Sequence, residues 1–210
     1  MPTHLTPAAA WQRLCEGNER FVNGIAEHPD QDAARRATLG YDQHPFVVLF
    51  GCADSRVAAE IIFDQGIGDM FVVRTAGHVI DTTVIGSIEY GIEMLSAPLV
   101  VILGHDHCGA VEAAMDALRT GSLPSGFVRA IVDRVIPSIV RIDGHSSATA
   151  SPEPQHFGHE HIRHTVHMLH DYSALLSRAV AEGKVAVVGA EYDLAEGKVR
   201  VVDAVGDIDY

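Results

Sequence analysis

Apolar residues follow two distinct rhythms along the chain. Three short runs are apolar at nearly every position: Phe46–Phe50, Met70–Val73 and Leu99–Leu103. Pro45 introduces the first and Gly51 closes it, while Gly104 closes the third. Runs of this length, bounded by proline or glycine, predict strands buried on both faces. Elsewhere apolar residues recur every three or four positions, which predicts helices over Thr82–Leu95, Ala110–Leu118 and Phe127–Ile139. Near the start, Thr6 as N-cap and Pro7 at the first helical position open another helix. Trp11, Leu14, Cys15, Asn18 and Val22 recur along it at helical spacing, and Gly24 closes it. Residues 25–44 are polar and acidic, with a short helix expected over Asp32–Leu39. Asp143–Phe157, rich in serine, proline and glycine, reads as an exposed loop. A helix from Gly158 to Ala181 then carries Ile162, Val166, Leu169, Leu176 and Val180 as its apolar stripe. Two final strands, Val185–Tyr192 and Lys198–Val205, are joined by the polar turn Asp193–Gly197.

Apolar strands alternating with helices specify an α/β domain whose parallel sheet is covered on both faces. The short last connection predicts an antiparallel hairpin at one edge. At 210 residues the chain suits a single domain, 1–210, with a helical N-terminal arm over 1–40. The strands are too few for an eight-fold barrel, and no repeat of 20–50 residues occurs.

Charge narrows the function. Against 15 basic residues stand 28 acidic ones, a balance of −13 that repels phosphate backbones and argues against nucleic acid as a partner. No apolar run is long enough to span a bilayer, and the opening segment lacks the basic-then-apolar order of a secretion signal, so a cytoplasmic location is expected. Three cysteines are too few and odd in number for a disulfide framework. They read better as metal ligands, nucleophiles or core fillers.

Two strand ends carry the chemistry. After the first strand comes Gly51-Cys52-Ala53-Asp54-Ser55-Arg56, and after the third Gly104-His105-Asp106-His107-Cys108-Gly109. In open α/β sheets ligands collect beyond the carboxyl ends of strands. If those strands are neighbours, Cys52, His105 and Cys108 meet, and two thiolates with one imidazole are the donor set of a tetrahedral zinc with a fourth position free. Asp54 can then bind the ion as a fourth ligand or orient its water, and Arg56 can grip Asp54 with a two-pronged pair.

Cys-x-Asp-x-Arg followed 53 residues after its cysteine by His-x-x-Cys-Gly resembles the β-class carbonic anhydrases. Similarity extends over AAEIIFDQGIGDMFVVRTAG and SIEYGIE and is densest from Gln43 to Ala114. The resemblance implies a central four-stranded parallel sheet with an added antiparallel strand. It also implies a homodimer that can pair into a tetramer, and zinc on Cys52, His105 and Cys108 at the subunit interface. Zinc-bound hydroxide would attack carbon dioxide to give bicarbonate and a proton, assisted by the dyad Asp54 and Arg56. Gln43 would bind substrate from the partner subunit, and Phe71, Ala76 and Tyr90 would line its pocket. Ala110 stands where a second glycine is frequent in the family, and His78 where asparagine is.

Two rival readings stay open at this point: a zinc hydrolase of the same scaffold acting on carbonyl sulfide or carbon disulfide, and a non-catalytic zinc or thiol-redox regulator. Other motifs fail. His159-Glu160 lacks the second histidine of a metalloprotease helix, since Arg163 stands four positions on. His161, His164, His167 and His170 advance by threes, which spirals round the helix without making one face, and they read as a solvated histidine-rich helix. Cys15 reads as a core or dimer-contact residue, and Gly66-Ile67-Gly68 is not a dinucleotide fingerprint.

Overall fold

The computed structural model describes residues 5–143 and 154–208. Its five strands are β1 (Val47–Cys52), β2 (Met70–Thr75), β3 (Leu99–His105), β4 (Ala186–Tyr192) and β5 (Val199–Val205). They form one sheet in the order β2-β1-β3-β4-β5, with β1–β2, β1–β3 and β3–β4 parallel and β4–β5 antiparallel. Four parallel strands with an antiparallel edge strand are thus in place. The chain runs from β1 outward to β2 and then returns to β3 on the other side of β1. That reversal opens a crevice beyond the carboxyl ends of β1 and β3.

Alternation explains why the central strands are apolar throughout. Val47, Leu49, Leu99, Val101 and Leu103 face one layer, with Trp11, Leu14 and Phe63. Val48, Phe50, Val100 and Ile102 face the other, with Ile88, Val166, Leu169 and Leu176. The first layer comes from α1 (Pro7–Val22) and α3 (Ala59–Ile62), the second from α4 (Thr82–Glu93), α7 (Pro154–Tyr172) and α8 (Ala174–Ala181). Between these lie α2 (Ala33–Thr38), α5 (Gly109–Thr120) and α6 (Val128–Asp143). Val111, Ala114, Val132, Val135 and Ile139 of α5 and α6 make a third core around Cys52 and Cys108.

Helix α1 begins as its residues dictate: the Thr6 side chain accepts from the Ala9 N–H at 3.2 Å and Pro7 follows. Its Trp11 is buried within its own chain. Gly17 lets α1 touch the end of α3, since a Cβ there would lie 1.8 Å from the Phe63 carbonyl oxygen. The buried Asp64 carboxylate then ties down the following segment, accepting from Arg20 Nε at 2.6 Å and from the Glu27 and His28 amides at 3.0 and 2.9 Å.

Two expectations need correction. Pro154–Phe157, read as loop, form the first turn of α7, while 144–153 of that stretch lie outside the described residues. The single helix expected over Gly158–Ala181 is two: Ser173 is extended, its hydroxyl accepts from the Leu176 N–H at 3.0 Å, and it donates to Glu89 at 2.6 Å. A serine N-cap outcompetes continuation of the helix because its oxygen satisfies an amide that would otherwise be orphaned. Helix α3 and a 3₁₀ turn at Ala76–His78 went unpredicted, both being too short to show a period. No described helix is long and apolar enough to cross a membrane.

Candidate metal centre and active site

Strand β1 delivers Cys52 and its neighbour β3 delivers His105, both at their carboxyl ends. Three residues on, Cys108 is the N-cap of α5. The ligand atoms of Cys52, His105 and Cys108 all lie within 4.8 Å of one another, and all three residues are buried. One partner is already decided. His105 Nδ1 lies 2.7 Å from the Asp106 carbonyl, which only accepts, so the ring proton belongs on Nδ1. Nε2 is left with its lone pair beside the two sulfurs and no hydrogen-bond partner, buried. An orphaned imidazole nitrogen between two thiols is the geometry a soft tetrahedral cation completes. The sulfurs behave as a pair. A hydrogen bond from Cys108 pulls Cys52 far below the ordinary thiol range, and the same bond, with burial, pushes Cys108 up.

Asp54 and Arg56 stand at the mouth. Arg56 Nε donates to Asp54 Oδ1 at 3.0 Å and Nη2 to Oδ2 at 2.8 Å, a two-pronged pair, and the Arg56 amide adds a third bond to Oδ1 at 2.9 Å. These bonds hold the Asp54 carboxyl well below the usual carboxylate range. Held this way, Asp54 Oδ2 rests 3.8 Å from His105 Nε2. Arg74 was missed by sequence reasoning. From β2 it donates to the Cys52 carbonyl at 2.9 Å and the Asp54 carbonyl at 2.6 Å, clamping the segment between the two functional side chains. Its one signal was its place directly after the apolar run Met70–Val73, within what proves to be β2.

One chain does not bring the remaining expected residues together. Ala76 is exposed next to Thr75, the β2 partner of Cys52. Phe71 pairs with Val48, four positions before Cys52 and hence about 13 Å away along the strand. Its ring meets that of Tyr90 at 5.9 Å. Gln43 is exposed on the segment leading into β1. Nor is the histidine-rich helix simply solvated. His161 is only 2% exposed, and His159 and His167 pair with Glu191 and Asp203, each at 2.9 Å. Cys15 is half-buried, and burial, reinforced by Glu19 and Glu16, pushes its thiol up to about 11. That makes it an inert thiol.

Residues 47–199 match the family model described as "Carbonic anhydrase". "Carbonic anhydrase 2" of Mycobacterium tuberculosis is 52% identical over 204 residues, covering 96% of both chains. The chain belongs to the β-class carbonic anhydrases. Another carbonic anhydrase, from Mycolicibacterium smegmatis, is 52% identical over 202 residues, again covering 96% of each chain. Among solved structures, the β-carbonic anhydrase CafA of Aspergillus fumigatus superimposes with a TM-score of 0.71 at 25% identity, over 92% of this chain and 90% of that one. The tetrameric β-carbonic anhydrases of Sordaria macrospora share the fold, with a TM-score of 0.72 at 18% identity over 93% of this chain and 98% of theirs. Membership in a zinc-dependent carbonic anhydrase family agrees with the donor set already described: two sulfurs and the unpartnered His105 nitrogen.

Proposed function

We propose that this carbonic anhydrase interconverts carbon dioxide plus water with bicarbonate plus a proton, using one zinc held by Cys52, His105 and Cys108, with Asp54 and Arg56 as its working dyad. The observation that carries this reading is the buried, unpartnered His105 Nε2 beside two sulfurs, with the Asp54 carboxylate held 3.8 Å away. Zinc, when bound, supplies Lewis acidity that makes water nucleophilic, and two thiolates temper that acidity by cancelling the ion's formal charge.

The chain's own residues do the rest. Arg56 fixes Asp54 so that its Oδ2 accepts a hydrogen bond from the attacking water and aims the water's lone pair at the substrate carbon. Because Arg56 depresses the Asp54 carboxyl so far, Asp54 orients the proton without keeping it, and the proton leaves to solvent or buffer. Asp54 also has the reach to become a fourth ligand if Arg56 lets go. Carbon dioxide carries no charge to steer, which suits an apolar slot with one donor. Gln43 would supply the donor from the partner subunit of a homodimer, and Phe71, Ala76 and Tyr90 would line the slot. Three free cysteines fit a reducing cytoplasm.

Stopped-flow hydration of carbon dioxide across roughly pH 6 to 9, with zinc content measured on the same sample, tests the reading. One zinc per chain and a rate that rises with pH are expected. A fully zinc-loaded sample that hydrates carbon dioxide no faster than buffer contradicts it.

A further inference from the structure

The 3₁₀ turn Ala76–His78, beside the metal centre, holds two successive residues at positive φ. Gly77 has φ 63° and ψ 23°, and His78 follows with φ 39°. Consecutive left-handed residues, one of them not glycine, persist only where their surroundings hold them. A side chain at position 77 is excluded, since its Cβ would lie 2.5 Å from that of Ala110. His78 adds a second cost: its ring is buried, and neither nitrogen has a partner. Both costs fall on one turn, and that turn places the Gly77 N–H 3.3 Å from the Cys52 sulfur.

What holds the turn comes from the histidine-rich helix. His161 Nε2 lies 2.8 Å from the Gly77 carbonyl, and its Nδ1 lies 2.9 Å from Ser138 Oγ on α6. Burial keeps His161 neutral, pulling it down to about 4. A neutral ring has one N–H, and a carbonyl can only accept, so the proton sits on Nε2, and Nδ1 shares the single Ser138 hydroxyl proton with the Val135 carbonyl, 2.6 Å from the same oxygen. The His78 ring packs over His161 with centroids 4.4 Å apart, and Thr75 Oγ1 closes the turn on the Val79 carbonyl at 3.0 Å.

We infer that His161 is a positioning residue of the metal centre: oriented by Ser138, it pins the Gly77 carbonyl and so aims the Gly77 N–H at the Cys52 sulfur. The inference rests on the zinc reading above. An N–H donated to a thiolate fixes its direction and draws charge from it, the kind of outer contact that tunes a metal ligand without touching the metal.

The test uses zinc-loaded holoenzyme titrated with a chelator. His161→Phe keeps the ring's bulk and loses both nitrogens. Its zinc affinity should fall roughly 10–100-fold, the range for loss of an outer-shell partner. With cobalt(II) in place of zinc, the thiolate-to-cobalt charge-transfer band should move to lower energy, because the sulfur no longer shares its charge with an N–H. His161→Gln, whose amide N–H can reach the same carbonyl, should recover most of both losses. A folded His161→Phe protein with the parent's affinity and the parent's band overturns the inference. If that variant does not fold, His161→Met decides: its flexible side chain fills the same space and also lacks an N–H, so the same two changes are expected, and parental values overturn the inference equally. A parent protein that neither retains zinc nor hydrates carbon dioxide would instead remove the underlying zinc reading, an outcome visible before any variant is made.

Discussion

Replacing Cys52 with serine is expected to strip the protein of zinc and of carbon dioxide hydration together while leaving its fold intact. The sulfur is buried at the end of β1, and one of the two thiolates disappears with it. A serine hydroxyl stays protonated at neutral pH and offers a hard, weak donor where a soft ion needs a charged sulfur. The loss should exceed the roughly 10–100-fold that removing a mere outer contact costs. The strand itself has no reason to fail, because Val47–Phe50 keep their packing on both faces. Zinc per chain, hydration rate and circular dichroism on one preparation check this. Cys15→Ser is the control, since that thiol lies in α1 apart from the metal-capable group, and it should change neither zinc nor rate. Normal zinc and normal rate in the Cys52 variant would contradict the assignment.

Arg56→Ala should separate binding from turnover. Zinc content should hold, because no ligand is touched, yet hydration should fall about 10²-fold or more, the scale of a lost orienting group. Without its two-pronged partner the Asp54 carboxylate is released 3.8 Å from His105 Nε2, close enough to occupy the coordination position that substrate water needs. Charge is not the cause. Freed of Arg56, the Asp54 carboxyl rises toward its ordinary value of about 3.9 and is still ionised above pH 5 or so. Arg56→Lys, which keeps the charge and loses the fork, should therefore recover little. Stability should barely move in either variant, since Arg56 is 54% exposed and pairs in solvent. Full activity in Arg56→Ala would take the dyad out of the mechanism.

Much of this was legible in the sequence because it was written at strand ends. The runs Phe46–Phe50 and Leu99–Leu103 are apolar at every position because both faces of β1 and β3 are buried, and the glycines that end them mark where chemistry can begin. Cys52, Asp54, Arg56, His105 and Cys108 follow within a few residues, so a local pattern sufficed to propose that they meet. Contacts made at a distance left weaker marks. Arg74 looks like an interruption of β2 until the two carbonyls it clamps are in view. His161 shares its three-residue spacing with neighbours that reach the surface, and only the positions of Gly77 and Ser138 decide that it is buried. Ser173 breaks a helix through a side chain-to-amide bond that competes with an unbroken apolar stripe. The turn at Gly77 is a backbone event of three residues, below the length at which any period can be read.

X-ray absorption at the zinc edge of the purified protein tests the metal assignment most directly. Two sulfurs near 2.3 Å, one imidazole nitrogen near 2.0 Å and one further light atom are expected, at about the distances zinc takes with such ligands. A spectrum with fewer than two sulfurs, or with a third sulfur or a second imidazole closing the shell, would contradict the assignment of Cys52, His105 and Cys108.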